Sequence, residues 1–210
     1  PLIHTVHLWL EEDRNEELPA TLRGVIAVNE NLRQQLVNEQ NVPKNNIRVI
    51  PYGVDLGPNA KQGELEELES GTMNSTAKLA NSNRIPVVGT IGQLSHGRGY
   101  DQFLKAARQV CDQYENVHFI IAGEGPDEAR LSKRVRELKL ADRLTFVHPS
   151  TEQDSIYSVI DLLVLVSDWG GVGLTLLESM AHYCPVVATG GGEVFSLLGQ
   201  EDVCILVPSG

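Results

Sequence analysis

Basic residues are scarce in this sequence: 17 lysines and arginines stand against 28 aspartates and glutamates, which gives a formal net charge of -11 over 210 residues. Proteins that bind nucleic acid present basic patches to the phosphate backbone. The charge balance therefore argues against a nucleic-acid partner, although it leaves room for a local basic pocket.

Cysteines and long apolar runs are few as well. The three cysteines, Cys111, Cys184 and Cys204, are odd in number, irregularly spaced and surrounded by apolar residues, which argues against a disulfide framework or a zinc site. We expect buried thiols in a reducing compartment, and hence a cytoplasmic protein. No run approaches the roughly 18 apolar residues that are needed to span a bilayer.

Both ends of the sequence lead us to expect part of a longer protein. It opens with PLIHTVHLWL, which lacks the charged region of a signal peptide, and it stops at VCILVPSG, where a strand would finish. The hydrophobic content of 41% is enough for a sizeable core. The length fits one large domain, or one domain plus part of another.

Composition divides the chain into three parts. Residues 1–56, with a helical stretch over 30–40, are expected to be the end of an amino-terminal domain and an interdomain connection. Residues 57–83 are polar and rich in Gly, Asn and Ser, which is typical of a flexible loop or linker. Residues 84–210 alternate regularly between apolar runs and amphipathic stretches, as expected of a separate, C-terminally incomplete domain.

The apolar runs after residue 84 are continuous rather than alternating, which is the mark of a parallel sheet covered on both faces. With helices between them, they predict an α/β fold with a doubly wound, Rossmann-like parallel sheet. We expect strands over 85–92, 117–125, 144–149, 161–167, 185–191 and 204–208, and helices over 100–114, 128–140, 152–160, 173–183 and 193–199.

Glycine-rich turns follow four predicted strands, as GTIGQ, AGEGP, SDWGGVG and ATGGGE. The carboxyl ends of parallel strands share one rim, where ligands bind. In the loop that follows the first turn, Arg98 and Gly99 precede a helix. Amide donors, the helix dipole and a planar cation together suit a diphosphate. A solvated arginine beside a turn glycine is an equal alternative. For AGEGP, a tight turn with Pro126 at the helix start is at least as plausible as a ligand contact.

A single acid, Glu178, interrupts the apolar run that begins at Gly170. Helical periodicity places Leu174, Leu177 and Ala181 on one apolar face, with Glu178 beside it. A carboxylate there can accept two hydrogen bonds from hydroxyls such as those of a ribose. Periodicity alone slightly favours an ordinary exposed acid near a helix N-terminus.

The order of these motifs resembles the nucleotide-sugar-binding half of GT-B-fold glycosyltransferases, specifically the retaining group-1, family-4 class. That class carries GRLxxxKG, GxGP, PSxxEGFGLxxLEAMAxGxPVVA and GGxxE; this sequence has GQLSHGRG, GEGP, VSDWGGVGLTLLESMAHYCPVVA and GGGE in the same order. The resemblance covers nearly the whole chain. It implies a GT-B C-terminal domain with a remnant of the N-terminal domain.

The resemblance also implies the chemistry: transfer of a sugar from a nucleotide-diphosphate donor, with retention of anomeric configuration and without a metal or cofactor. Arg98 stands where the class has lysine, and Gln93 replaces its first basic residue. Glu178 matches the second acid of the E-x7-E pair, which binds the donor ribose, whereas Gly170 replaces the first. His7 resembles the amino-domain histidine that faces the donor sugar, and a structural strand-end histidine is close to equally plausible.

The implied catalytic residues are His7, Arg98 and Glu178. Leaving-group charge on the diphosphate would be stabilised by Arg98 and by backbone amides of the glycine-rich turns. Asp168 lies close enough in sequence to substitute in part for the missing acid. The implied donor-binding residues are Gly92, Gln93, Arg98, Gly123, Gly171, Val172, Gly173, Leu174 and Glu178.

The implied partners are a nucleotide-sugar donor and a glycan or lipid-linked acceptor, the latter bound mainly by the amino-terminal domain. Any peripheral membrane contact would come through that domain. Two alternatives stay open: a nucleotide-binding GT-B module that has lost catalysis, motivated by Gly170 and Gln93, and a GT-B sugar-nucleotide epimerase, which needs no acceptor. The fragment alone is not expected to turn over, because catalysis needs both domains to close on the donor.

Overall fold

The structure is a computed structural model that describes residues 2–6, 22–54, 85–148, 154–166, 173–189 and 204–208. Within these ranges the strands are β1 (Leu2–Val6), β2 (Leu22–Ala27), β3 (Ile47–Val49), β4 (Val87–Ile91), β5 (His118–Ala122), β6 (Leu144–Val147), β7 (Leu162–Leu165), β8 (Val186–Thr189) and β9 (Ile205–Val207). The α-helices are α1 (Glu30–Gln40), α2 (Tyr100–Gln113), α3 (Glu128–Glu137), α4 (Asp154–Val159) and α5 (Gly173–Ala181).

The first sheet holds β1, β2 and β3 in that order, with parallel pairing throughout. Helix α1 connects β2 to β3 and has the bounds that the sequence predicts. It begins because the Asn29 side chain accepts a hydrogen bond from the Leu32 amide over 2.7 Å, and it ends at Asn41, which adopts the left-handed conformation with φ 53°. Leu32 and Leu36, one turn apart, are its buried residues.

The second sheet has the strand order β6-β5-β4-β7-β8-β9, and all of its described pairings are parallel. The chain winds outward from β4 to β6 and then returns to the other side of β4 with β7. This reversal makes the sheet doubly wound, as the sequence predicts. In such sheets ligands bind beyond the carboxyl ends of the strands where the order reverses, which here is the end of β4.

Apolar cores cover both faces of the second sheet. On β5, Phe119 and Ile121 face a core with α2 and α3, while Ile120 and Ala122 face a core with α4 and α5. Successive strand residues point to opposite faces, so a strand that is covered on both sides must be apolar throughout. The continuous apolar runs in the sequence have this cause.

The apolar face predicted for α5 is wrong. The residues that α5 buries are Gly173, Leu176 and Ser179, whereas Leu174 is 43% exposed. Helix α5 therefore turns Leu176 toward the sheet, and the side chain of Leu174 is exposed. Because leucines occupy positions 174, 176 and 177, the periodicity did not distinguish the two rotations.

The expectation of three buried thiols holds only for Cys184. Cys111 and Cys204 are half-buried, and all three cysteines are free. Burial raises the pKa of the Cys204 thiol, which keeps it protonated.

The predicted linker over 57–83 and the predicted helix over 193–199 lie outside the described residues. The division into domains therefore stays a prediction. Among the helices that the structure describes, none combines the length and apolar character needed to cross a membrane.

Candidate functional site

A cavity of about 630 Å³ opens at the carboxyl ends of β4 and β5. Its volume falls within the range of about 300–1,000 Å³ that is usual for small-molecule sites. One wall is formed by Gly92 and Gln93 after β4 and by the turn 123–125 after β5. The facing wall comes from helices α4 and α5. Its residues are Ile156, Tyr157, Leu174, Thr175 and Glu178.

Two glycines bring the ends of β4 and β5 together. The Gly92 amide donates a hydrogen bond to the carbonyl oxygen of Ala122 over 3.0 Å, and the Gly123 amide donates to that of Val147 over 3.0 Å. A Cβ atom on Gly123 would lie 1.9 Å from the Gly92 carbonyl oxygen. Only glycine permits this approach, which leaves positions 92 and 123 of the wall without side chains, so that a ligand can meet the backbone there.

The Gly92 amide, one of the backbone amides expected to stabilise a diphosphate, has a partner within the protein. That N–H already donates to Ala122 within the extended sheet ladder, so it is not a free donor. Gly92 contributes the shape of the cavity rather than a hydrogen bond to a ligand.

The loop after β4 is tied to its surroundings at several points. The buried Leu94 donates its amide to the carbonyl oxygen of Glu124 over 2.9 Å and accepts the amide of Asp127 over 2.9 Å. The Tyr100 hydroxyl donates to the carbonyl oxygen of Gln93 over 3.1 Å. Burial raises the pKa of Tyr100 to about 12, although the nearby Arg98 cation acts in the opposite direction. These contacts hold Gln93, which is exposed, at the edge of the cavity.

Arg98 lies in this loop, directly before Gly99 and the start of α2. It is half-buried, and no described residue forms a hydrogen bond or an ion pair with its side chain. It is not among the described residues that line the cavity. The structure thus places the predicted cation beside the cavity, within the electrostatic reach of Tyr100.

Gly99 fixes the direction in which this loop enters α2. Its φ of 70° favours glycine, and a Cβ atom there would lie 2.6 Å from the carbonyl oxygen of Val166, at the end of β7. The loops after β4 and β7 therefore meet where the strand order reverses.

Glu178 lies on the facing wall and is half-buried rather than exposed. Its Oε2 atom accepts a hydrogen bond from the Tyr157 hydroxyl over 2.7 Å. The Tyr157 ring stacks on the His182 ring, with centroids 5.1 Å apart and an angle of 6° between planes. The carboxylate is therefore held at the cavity surface by a group from a different helix.

Five of the predicted site residues meet in this cavity: Gly92, Gln93, Gly123, Leu174 and Glu178. Gly173 is the buried first residue of α5. Arg98 lies beside the cavity. The remaining ones lie outside the described residues, namely His7, Asp168, Gly170, Gly171 and Val172, as does the GGGE motif.

Sequence reasoning missed Tyr157, Thr175 and Glu124 as cavity residues. Thr175 could have been found from its place between Leu174 and Glu178 in the same motif. Tyr157 carries no such signal, because it stands 21 residues before Glu178 in an ordinary amphipathic stretch. Within the described residues, no cluster of three or more His, Cys, Asp or Glu side chains could hold a metal ion.

A family model described as glycosyl transferases group 1 matches residues 74–209. The chain belongs to the group 1 glycosyltransferases. It is similar to the 2-deoxystreptamine glucosyltransferase of Streptomyces kanamyceticus, with 25% identity over 189 residues, which are 89% of this chain and 48% of that protein. It is also similar to the lipopolysaccharide core biosynthesis mannosyltransferase LpsB of Rhizobium meliloti, with 35% identity over 127 residues, 57% of this chain and 36% of that protein.

Solved structures confirm the fold of this group 1 glycosyltransferase as Rossmann-like α/β of the GT-B kind. HepE of Anabaena, crystallised with UDP-glucose, superposes with a TM-score of 0.77 at 20% identity, over 100% of this chain and 59% of that one. A glycosyltransferase of Rickettsia africae gives a TM-score of 0.73 at 17% identity, over 98% of this chain and 56% of that one. The chain thus spans about half the length, or less, of the proteins that it matches.

Proposed function

We propose that this group 1 glycosyltransferase binds a nucleotide-diphosphate sugar in the cavity between the β4 and β5 ends and helices α4 and α5, and transfers the sugar with retention of anomeric configuration, as in the family-4 class. The observation that carries the proposal is the position of Glu178. Its carboxylate faces a glycine wall across a space of about 630 Å³. That arrangement offers acceptors for ribose hydroxyls on one side and close backbone contact on the other.

The other roles follow from the placement of the described residues. Leu174, exposed beside Glu178, would pack against the apolar face of the nucleoside. The guanidinium of Arg98, together with the N-terminus of α5 at Gly173, would stabilise the negative charge that grows on the diphosphate as the sugar leaves. His7 would face the donor sugar from the amino-terminal part. We propose no metal or cofactor for this step.

The acceptor is proposed to be a glycan or a lipid-linked sugar. Support comes from the names of relatives, which include the lipopolysaccharide core mannosyltransferase LpsB and an alpha-monoglucosyldiacylglycerol synthase of Streptococcus pneumoniae that is 29% identical over 185 residues. Solved neighbours include HepE in complex with UDP-glucose, which makes UDP the first nucleotide to test.

Calorimetric titration of the full-length protein with UDP, GDP and ADP tests the donor site. One nucleotide should bind at micromolar concentration, and Glu178→Ala and Arg98→Ala should each weaken it about tenfold or more. Glu115→Ala is the matched control, since Glu115 is an exposed acid outside the cavity. Nucleotide binding that is unchanged in Glu178→Ala, or absent in the unaltered protein at millimolar concentration, would contradict the proposal.

Retention of configuration needs its own measurement. The anomeric proton coupling of the product, measured by NMR before the sugar can re-equilibrate, should match that of the donor. An inverted anomer would exclude the family-4 type of mechanism while leaving the donor site intact.

A second candidate is a donor-binding module without transfer activity. Gln93, an uncharged side chain at the cavity edge where the family motif has a basic residue, favours it. In that case the full-length protein would bind its nucleotide sugar but release no nucleotide over hours, in the presence or absence of a glycan extract.

A further inference from the structure

Two side chains of the cavity wall and one beside them form a connected group. Tyr157 comes from α4, Glu178 from α5 and His182 from the turn after α5. The Tyr157 hydroxyl donates to Oε2 of Glu178 over 2.7 Å, and the Tyr157 ring lies parallel to the His182 ring at 5.1 Å. The group links the carboxylate that faces the ligand to the helix behind it.

Tyr157 is held in place on all sides. Its side chain is 2% exposed and packs in the core with Ile156 and Ile160. Its stacking partner His182 is fixed to the same turn of chain as the carboxylate, because the His182 amide donates to the carbonyl oxygen of Glu178 over 3.1 Å. The hydroxyl therefore has little freedom to leave Glu178.

This hydrogen bond has a consequence for ligand binding. A glutamate side chain has three rotatable bonds, and ordering it on binding costs conformational entropy. Because the Tyr157 hydroxyl already orders the carboxylate, part of that cost is removed before the ligand binds. The tyrosine occupies one acceptor position on Oε2 and leaves Oε1 and the remaining lone pair of Oε2 available. Two adjacent acceptors in a fixed orientation suit a pair of vicinal hydroxyls.

We propose that Tyr157 is a positioning residue that orients the Glu178 carboxylate, and that its hydroxyl thereby sets the preference of this site for ribonucleotides over 2′-deoxyribonucleotides. The proposal rests on the proposed donor site and adds to it a residue that acts through the Glu178 carboxylate. A ligand without the 2′-hydroxyl forms fewer hydrogen bonds with the ordered carboxylate, so its affinity depends less on that order.

The test compares affinities for UDP and 2′-deoxy-UDP, or for the matched GDP or ADP pair if that base binds, in the full-length protein. The unaltered protein should prefer the ribonucleotide by tenfold or more. Tyr157→Phe removes only the hydroxyl and keeps the ring stacked on His182. It should weaken the ribonucleotide about fivefold to tenfold while changing the deoxynucleotide less than twofold. In a Glu178→Ala background, Tyr157→Phe should leave the ratio of affinities unchanged.

Tyr114→Phe is the matched control, because Tyr114 is 60% exposed and does not line this cavity. If Tyr157→Phe weakens both nucleotides equally, its hydroxyl only stabilises the fold and the proposal is overturned. It is also overturned if Tyr157→Phe changes neither affinity. A protein that binds none of the nucleotides would instead contradict the donor site itself, so the two failures are distinguishable.

Discussion

The backbone carbonyl oxygen of Gly92 occupies the space into which any side chain on Gly123 would project, since a Cβ atom there would lie 1.9 Å away. The two residues end adjacent strands, and their approach forms the glycine wall of the cavity. The obstacle is backbone, which cannot move aside as the tip of a flexible side chain can. The contact therefore makes position 123 intolerant of even the smallest side chain.

Gly123→Ala should destabilise the protein by about 2 kcal/mol or more, because it combines overpacking with a φ of 156° that favours glycine. Urea unfolding measures the effect. Gly53→Ala is the control, since a Cβ atom at Gly53 would meet nothing within 4 Å. Equal stability of the two variants would show that the strand ends can separate without cost.

Leu174 and Leu176 should respond in opposite ways to truncation. Leu176 is fully buried, so Leu176→Ala should cost about 2–5 kcal/mol of unfolding free energy. Leu174 is 43% exposed and lines the cavity, so Leu174→Ala should cost little stability yet weaken nucleotide binding severalfold. Denaturant unfolding and calorimetric titration of both variants measure the two effects. A large stability loss in Leu174→Ala would instead support the orientation of α5 predicted from periodicity, in which Leu174 is buried.

The buried hydroxyl of Tyr100 should make stability fall at high pH. Its pKa is raised from 10.0 to about 12 in the folded protein, so the unfolded chain loses this proton first as the pH rises. Stability is therefore unaffected below pH 10 and is lost between about pH 10 and 12. Tyr100→Phe lacks this proton, so its stability relative to the unaltered protein should rise across that window. Urea unfolding at pH 9 and pH 11.5 measures the difference in unfolding free energy between the two proteins. A difference that is the same at both pH values would contradict the expectation.

Gln93→Arg should strengthen the binding of a nucleoside diphosphate. The residue lines the cavity, and a cation there would attract the diphosphate while leaving the glycine wall unchanged. We expect about a tenfold gain for UDP and none for uridine, which lacks the diphosphate, when both are measured by titration at low salt. A gain for uridine of the same size would place the new arginine against the base instead.

Several elements follow directly from local sequence. Helix α1 is bounded by Asn29 and Asn41, and asparagine is a residue type that favours both the N-cap and the left-handed C-terminal position. The strands of the second sheet are equally evident, because burial on both faces requires continuous apolar runs. Gly92 and Gly123 could be placed at one rim because each follows a predicted parallel strand, whereas the place of Glu178 comes from the family resemblance.

Other features depend on packing that no local pattern records. The Gly92 amide is used within the sheet because the pairing of β4 and β5 continues to this residue. The sequence does not show where that pairing ends. The rotation of α5 follows from which leucine fits the sheet. The contact between Tyr157 and Glu178 joins two helices that cross only in the folded chain.

The cavity is assembled from residues that lie far apart along the chain, from Ile91 at the end of β4 to Glu178 on α5. During synthesis on the ribosome, at about 5–20 residues per second, the β4 end is made roughly 5 to 20 seconds before the carboxylate that faces it. In that interval the glycine turns exist without an opposite wall. If the cavity binds a nucleotide as proposed, the nascent chain gains nothing from it until α5 has emerged. The ligand would then protect the finished domain from unfolding but would not guide its early folding.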